Sequence, residues 1–256
     1  MNLVAGFADI SLAQLLLVAA VALFASVIGG LAGYGTGALM PLVLVPLIGA
    51  EPVVPIIAIS AIFTNLSRVA AYLRYLDRRR AAIVIASAAL TTALGAYGYT
   101  LLTNAGAALV IGAMLISSVP LRRLAKRRDV KIGDAGLAAS AVGYGGVVGG
   151  TSGSGVILLS LLMAAGLEGA AVIATDAAIS VATGIIKIAV FGLAGEITPQ
   201  VLAFALLIGA VAIPGAFLAR SFVERMPLRI HTAILDVAVI AGGVMMIGSA
   251  ARQLLS

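Results

Sequence analysis

The sequence predicts an all-helical integral membrane protein made of two inverted repeats, each of about five helical segments, with broken or half-helices at the midplane. Three observations carry that prediction. Hydrophobic residues make up 62% of the 256 and charged residues 10%, with a mean hydropathy of +1.19, outside the range of ordinary soluble domains. Apolar segments follow one another with short connections, each near the roughly 20 residues that cross a hydrocarbon core, and the short alternating strands of a lipid-facing barrel are absent. Two glycine-crowded stretches, 29–37 (GGLAGYGTG) and 143–155 (GYGGVVGGTSGSG), lie about half a chain apart, and each leads into an apolar run.

The elements follow in order. Residues 11–27 form a first apolar helix; no Lys or Arg precedes it and no small-residue cleavage site follows, so it reads as a spanning helix and not as a signal peptide. Residues 38–48 are too short to span at 1.5 Å per residue and read as a half-helix. Glu51 and Pro52 open a crossing over 52–75. Residues 81–102 return, with Tyr97 and Tyr99 as an interfacial aromatic belt, and 107–120 come back to a basic loop. The order then recurs: 134–148, a half-helix over 156–165, a long segment over 168–192, then 199–222 and 230–250. The chain therefore divides into a first transmembrane repeat, 1–120, a basic cytoplasmic linker, 121–133, and a second repeat, 134–256.

The recurrence is specific in places. Gly49 and Glu51 match Gly166 and Glu168, and TNLSR at 64–68 lines up with TGIIK at 183–187. Counting each half-helix within a fifth, broken crossing inverts the halves and puts all three basic clusters on one side, around Arg74 to Arg80, Arg122 to Lys131 and Arg220 to Arg229. That satisfies the positive-inside rule with both termini outside, and the net charge of +6 then serves topology and anionic lipid headgroups, not nucleic acid. The expected location is a prokaryotic inner membrane. With no cysteine and one histidine, disulfides, thiolate metal sites and most zinc schemes are excluded, and no cofactor is expected.

Unwound backbone inside a membrane is tolerated only where it lines a cavity, because each freed N–H or C=O costs several kcal/mol in lipid. Both glycine stretches are expected to be unwound and to meet as one site. The candidate substrate-binding residues are Gly33, Gly35, Thr36 and Gly37 in the first, and Gly150, Thr151, Ser152, Gly153, Ser154 and Gly155 in the second. Half-helix N-termini would offer free amides and a positive dipole end to an anion, with the hydroxyls as further donors. Gly29, Gly30, Gly33, Gly149 and Gly150 also have a packing explanation, since small residues let transmembrane helices approach closely, and Gly242 and Gly243 are assigned to packing alone.

Asp176, Ser180, Thr183 and Lys187 share one helix face. Intramembrane charges point to function, so Asp176 is a candidate carrier of a coupling proton, with Lys187 as its partner or a proton of its own; a static buried contact is the alternative. Arg68 and Lys187, matching residues of the two repeats, are candidate gate cations near opposite faces, against snorkelling to the interface, which suits Arg68 better. Glu51 and Glu168 are expected to cap the helices that follow them. Asp236 is expected to pair with Arg229 or His231.

The stretch GGLAGYGTGALMPLVLVPLIG and its partner GYGGVVGGTSGSG resemble the motifs of the sulfite exporter TauE/SafE family, also called the four-toluene sulfonate uptake permease family. The resemblance extends over the chain through its length, duplication and basic central loop. It implies a secondary transporter, most often an exporter, of small sulfur-containing anions such as sulfite, sulfoacetate or other organosulfonates, with proton coupling and a homodimer both admitted. The first stretch is nearly free of hydroxyls and the second is not, so the two halves of the site differ. An anion channel or a carrier of a non-sulfur organic anion is the competing function. A membrane enzyme is disfavoured because no base accompanies Ser152 or Ser154, and a scaffold would need no duplicated break.

Overall fold

The computed structural model describes residues 6–8, 10–32, 35–127, 131–223 and 228–255, with the side chains of 28–32, 122–127, 215–223, 228–235 and 255 outside that description. Among these residues every regular element is helical: α1 (Leu12–Ala32), α2 (Gly35–Ile48), α3 (Val53–Tyr72), α4 (Arg78–Thr100), α5 (Asn104–Arg127), α6 (Asp134–Gly150), α7 (Gly155–Ala164), α8 (Gly169–Leu193), α9 (Pro199–Val223) and α10 (Leu228–Leu255). Five of them are long and apolar enough to cross a membrane over their described residues, and α2 and α7 are short apolar helices. Leu90, Leu94, Leu193 and Met245 are exposed, as side chains facing lipid would be.

The packing shares one pattern between the halves. Helix α4 lies on α6 as α1 lies on α9, α3 meets α9 as α8 meets α4, α5 touches α7 as α10 touches α2, and α3·α8 and α5·α10 are each their own counterpart. Gly49 and Gly166, at the ends of α2 and α7, both have left-handed φ, +83° and +87°, the conformation that ends a helix at glycine without strain.

Small residues set how closely these helices pack. A methyl group on Gly145 would strike Thr91 and Ala88 of α4, one on Gly149 would strike Thr92 and Ala96, and Gly95 packs in turn against Gly146. Gly112 and Gly243 face each other between α5 and α10 in the same way. Without a hydrophobic driving force between helices in lipid, this backbone proximity is what dispersion and weak polar contacts act through. The expectation that both glycine stretches are unwound throughout is therefore corrected: 143–150 are helical, with Gly145, Gly149 and Gly150 in contact with α4, and in the first stretch 29–32 and 35–37 are helical as well.

Other departures have local causes. Helix α5 runs through Pro120 to Arg127, so the basic connection is shorter than 121–133; Leu, Arg, Ala and Lys are good helix formers, and cations suit a helix C-terminus. Tyr97 is exposed, but Tyr99 is buried and donates to the Ala50 carbonyl at 2.6 Å, so it is no interfacial anchor. With Asn104 Oδ1 accepting from the Ala50 amide, it ties the α2–α3 turn to the α4–α5 turn. Glu168 occupies the N-cap position of α8 without a side-chain capping bond, and Pro52, not Glu51, holds that position on α3. Asp77 caps α4 instead: the Arg80 amide bonded to its carboxylate holds the carboxyl below its usual value. The proposed partners of Asp236 lie outside the described side chains.

Gly145→Ala and Gly149→Ala should each lower stability by about 1–3 kcal/mol through overpacking, read as thermal unfolding in detergent. Gly143→Ala, with no atom within 4 Å of the added carbon, should be neutral or mildly stabilising. Equal effects at all three positions would contradict the packing account.

Candidate functional site

The start of α2 and the break between α6 and α7 border one cavity. Between α6 and α7 the break is four residues long, 151–154, all but Gly153 hydroxyl-bearing. Thr151 is in extended conformation and Gly153 has φ +83°, a value that glycine alone adopts freely. Residues 33–34, between α1 and α2, include the candidate Gly33 and lie outside the described residues.

The two half-helices are joined through a proline. Pro41 lies inside α2 and has no N–H, so the carbonyl four residues earlier, that of Gly37, loses its helical donor. The Ser152 hydroxyl fills it from the other half of the chain at 2.6 Å. A methyl group on Gly37 would sit 3.2 Å from the Gly153 nitrogen, so glycine at both positions permits this close approach. The pairing of Pro41 with Gly37 at this spacing was readable from sequence as an orphaned carbonyl; its partner was not.

The cavity has a volume of about 140 Å³. From the candidate set, Gly35, Thr36, Gly37, Thr151, Ser152, Gly153, Ser154, Gly155, Arg68, Thr183 and Lys187 all line it. Gly150 does not: it packs against the Gly95 carbonyl. Asp176 does not line it either and acts from behind, through Arg68. Residues absent from the sequence-based set also line it, among them Asn65, Tyr144 and Ser180. Asn65 was within reach of sequence reasoning, being on the Thr64 and Arg68 face of α3; Tyr144 required knowing that its helix continues past Gly143.

Two cations reach the cavity, and their surroundings differ. Arg68 is held by Asn65 Oδ1 at 3.1 Å and by Asp176 Oδ2 at 3.1 Å, with the Asp176 side chain 1% exposed. The sequence-based pairing of Asp176 with Lys187 is thus corrected, as is snorkelling of Arg68: helices α3 and α8 cross closely at Gly184, which packs on Ile62, and bring Arg68 onto Asp176. Burial makes an ion pair between them far cheaper than either charge alone. Lys187, 6% exposed, donates to the carbonyls of Val148 at 2.8 Å and Thr151 at 3.1 Å. These are acceptors freed where α6 ends, at the negative pole of its dipole. Arg68 and Lys187 do not serve opposite faces separately; both line the same cavity.

The hydroxyls divide by their commitments. Ser152 spends its proton on Gly37, and Thr183 donates to Ile179 and Ser180. The hydroxyls of Thr36 and Ser154 have no hydrogen-bond partner among the described residues, which leaves them, with the first-turn amides of α2 and α7, as donors facing the cavity. Among the described residues no group of His, Asp and Glu could hold a metal.

This is a multi-pass helical membrane protein whose interior holds a cation-bearing cavity between two broken helices. A family model described as Sulfite exporter TauE/SafE matches residues 18–246, nearly the whole chain and both glycine stretches, and the chain belongs to that family. No curated protein and no solved structure matches it.

Asp176→Ala, which strands Arg68 as a buried unpaired cation, should cost about 3–5 kcal/mol of stability. The double variant Arg68→Met with Asp176→Leu should regain most of it in the same unfolding assay. A double variant as unstable as the single one would show that the ion pair is not the reason.

Proposed function

We propose that the chain, a member of a family described as sulfite exporters, is a secondary transporter, working as an exporter, for small sulfur-containing anions such as sulfite, sulfoacetate or other organosulfonates. The carrying observation is the convergence on one cavity of two half-helix N-termini, the unbonded hydroxyls of Thr36 and Ser154, and the buried ammonium of Lys187. Anions are stabilised at helix N-termini, and a cation in a low-dielectric cavity adds a long-range attraction. The volume, close to the roughly 150 Å³ that takes up one benzene ring, suits sulfite or a short-chain sulfonate. The family's description as exporters supports reading the chain as a carrier and not an enzyme.

The matched neighbour pattern of the two halves supports an inverted repeat, whose rocking would expose the cavity alternately. The basic residues at the ends of α3, α4 and α5 support a cytoplasmic placement of those ends in a prokaryotic inner membrane. Asp176 offers a route to coupling. A proton on its carboxylate would break the pair with Arg68 and free the guanidinium for substrate, so anion and proton binding would be linked.

The test is uptake into proteoliposomes of radiolabelled sulfite, sulfoacetate, taurine, sulfate and acetate, with and without an imposed pH gradient. The proposal expects saturable flux of a sulfur anion that responds to the gradient, with Asp176→Asn losing at least about tenfold of the gradient-driven component. Fast conductance without saturation would favour a channel, and acetate flux alone a non-sulfur carrier. Full gradient-driven flux in Asp176→Asn would remove the coupling role.

A further inference from the structure

The correspondence that aligns Thr64 with Thr183 and Arg68 with Lys187 places Ile57 opposite Asp176. Ile57 lines the cavity. One half of the site thus carries a cation with its own carboxylate, and the other a cation with an isoleucine where that carboxylate would be. Lys187 bonds only backbone carbonyls, and among the described residues no Asp or Glu lies within ion-pair distance of it.

The helix ends do not upset this balance. A helix dipole carries no net charge, and the first-turn amides of α2 and α7 offer donors to a monoanion and a dianion alike. The remaining polar groups facing the cavity, Thr36, Asn65, Tyr144, Thr151, Ser154 and Thr183 among them, are neutral. With Asp176 ionised and paired to Arg68, the state before any coupling proton binds and the one the titration below is run in, the site carries one net positive charge, on Lys187. Arg68 still offers donors, since its Nε has no partner, but adds no net charge.

We propose that the cavity selects anions bearing a single negative charge, hydrogensulfite or a monovalent sulfonate over sulfate or any dianion, and that Lys187 is the charge that holds them. The inference rests on the anion-transport reading and narrows its substrate class, setting sulfoacetate, whose sulfonate and carboxylate make it a dianion near neutral pH, among the disfavoured anions. A monoanion neutralises the cavity on entry. A dianion of similar size leaves one charge uncompensated in a medium of low dielectric, after losing a hydration energy that grows with the square of its charge.

The experiment is calorimetric titration of the detergent-solubilised full chain with methanesulfonate and with sulfate, beside the proteoliposome flux of each. Wild type should bind methanesulfonate about tenfold or more tightly than sulfate, a modest fraction of the Coulomb difference of one charge at close range. Asp176→Asn keeps the side-chain shape and removes one negative charge, so sulfate should gain on methanesulfonate and the preference narrow or invert. Lys187→Gln should lose methanesulfonate binding and Lys187→Arg should restore it, with thermal unfolding confirming that each variant is folded. Equal binding of the two anions by wild type, an unchanged ratio in folded Asp176→Asn, or no binding of either anion would overturn the charge assignment. Selective binding without flux would leave it standing and overturn the transport reading instead.

Discussion

Four consecutive residues, 151–154, are taken out of helical hydrogen bonding inside an apolar molecule, and the polar backbone they expose must be satisfied from elsewhere. An unsatisfied amide or carbonyl at this depth costs several kcal/mol, so the side chains around the break are placed to meet its needs. Lys187 reaches from α8 to the carbonyls of Val148 and Thr151. Ser152 in turn fills the Gly37 carbonyl, which Pro41 leaves without a donor. The carbonyl ends of the break are thus occupied by protein, while the amide ends at α2 and α7 face the cavity. With those carbonyls met by Lys187 and Ser152, the groups left facing the cavity are donors, and donors without acceptors suit an anion.

The same arrangement explains why the charges are unequal. Arg68 has a fixed counter-ion, so its burial beside Asp176 is tolerable without a ligand. Lys187 has two carbonyls and no carboxylate, which hold its ammonium in place without cancelling its charge. The close crossing of α3 and α8 at Gly184 makes both possible by setting the two cation-bearing faces against the same space. Small residues thus have two separate tasks in this chain. At Gly145 and Gly149 they bring α6 onto α4; at Gly37 and Gly153 they let the first turn of α2 touch the break at 151–154.

Much of the site was legible because the residues involved violate the apolar pattern. A Thr, a Lys and an Asp on one face of a 25-residue apolar helix stand out, as do hydroxyls clustered between glycines. The half-helices were legible from length alone. What sequence could not supply was pairing in space: Asp176 and Lys187 share a helix face eleven positions apart and invite pairing, but the carboxylate meets Arg68 from a different helix. Nor could glycine density mark where a helix ends. The run from Gly143 looks as broken as the run from Thr151, yet Gly145 and Gly149 have Ala88, Thr92 and Ala96 of α4 to pack on, and packed glycine in a membrane helix keeps its hydrogen bonds. Tyr99 was misplaced for a related reason, since an aromatic near a helix end can face inward to a turn as well as outward to the headgroups.

The central claim is that an anion sits where the two breaks meet. The chain has no cysteine, so a single Ser154→Cys variant gives a thiol at the break without background. Its labelling by a maleimide reagent can be followed as methanesulfonate is added. Saturable protection of the thiol by the anion, absent with a neutral sulfone of the same size, is what this account predicts. Labelling that proceeds at the same rate at every anion concentration, in protein that still carries the anion across a bilayer, would place the substrate elsewhere and contradict it.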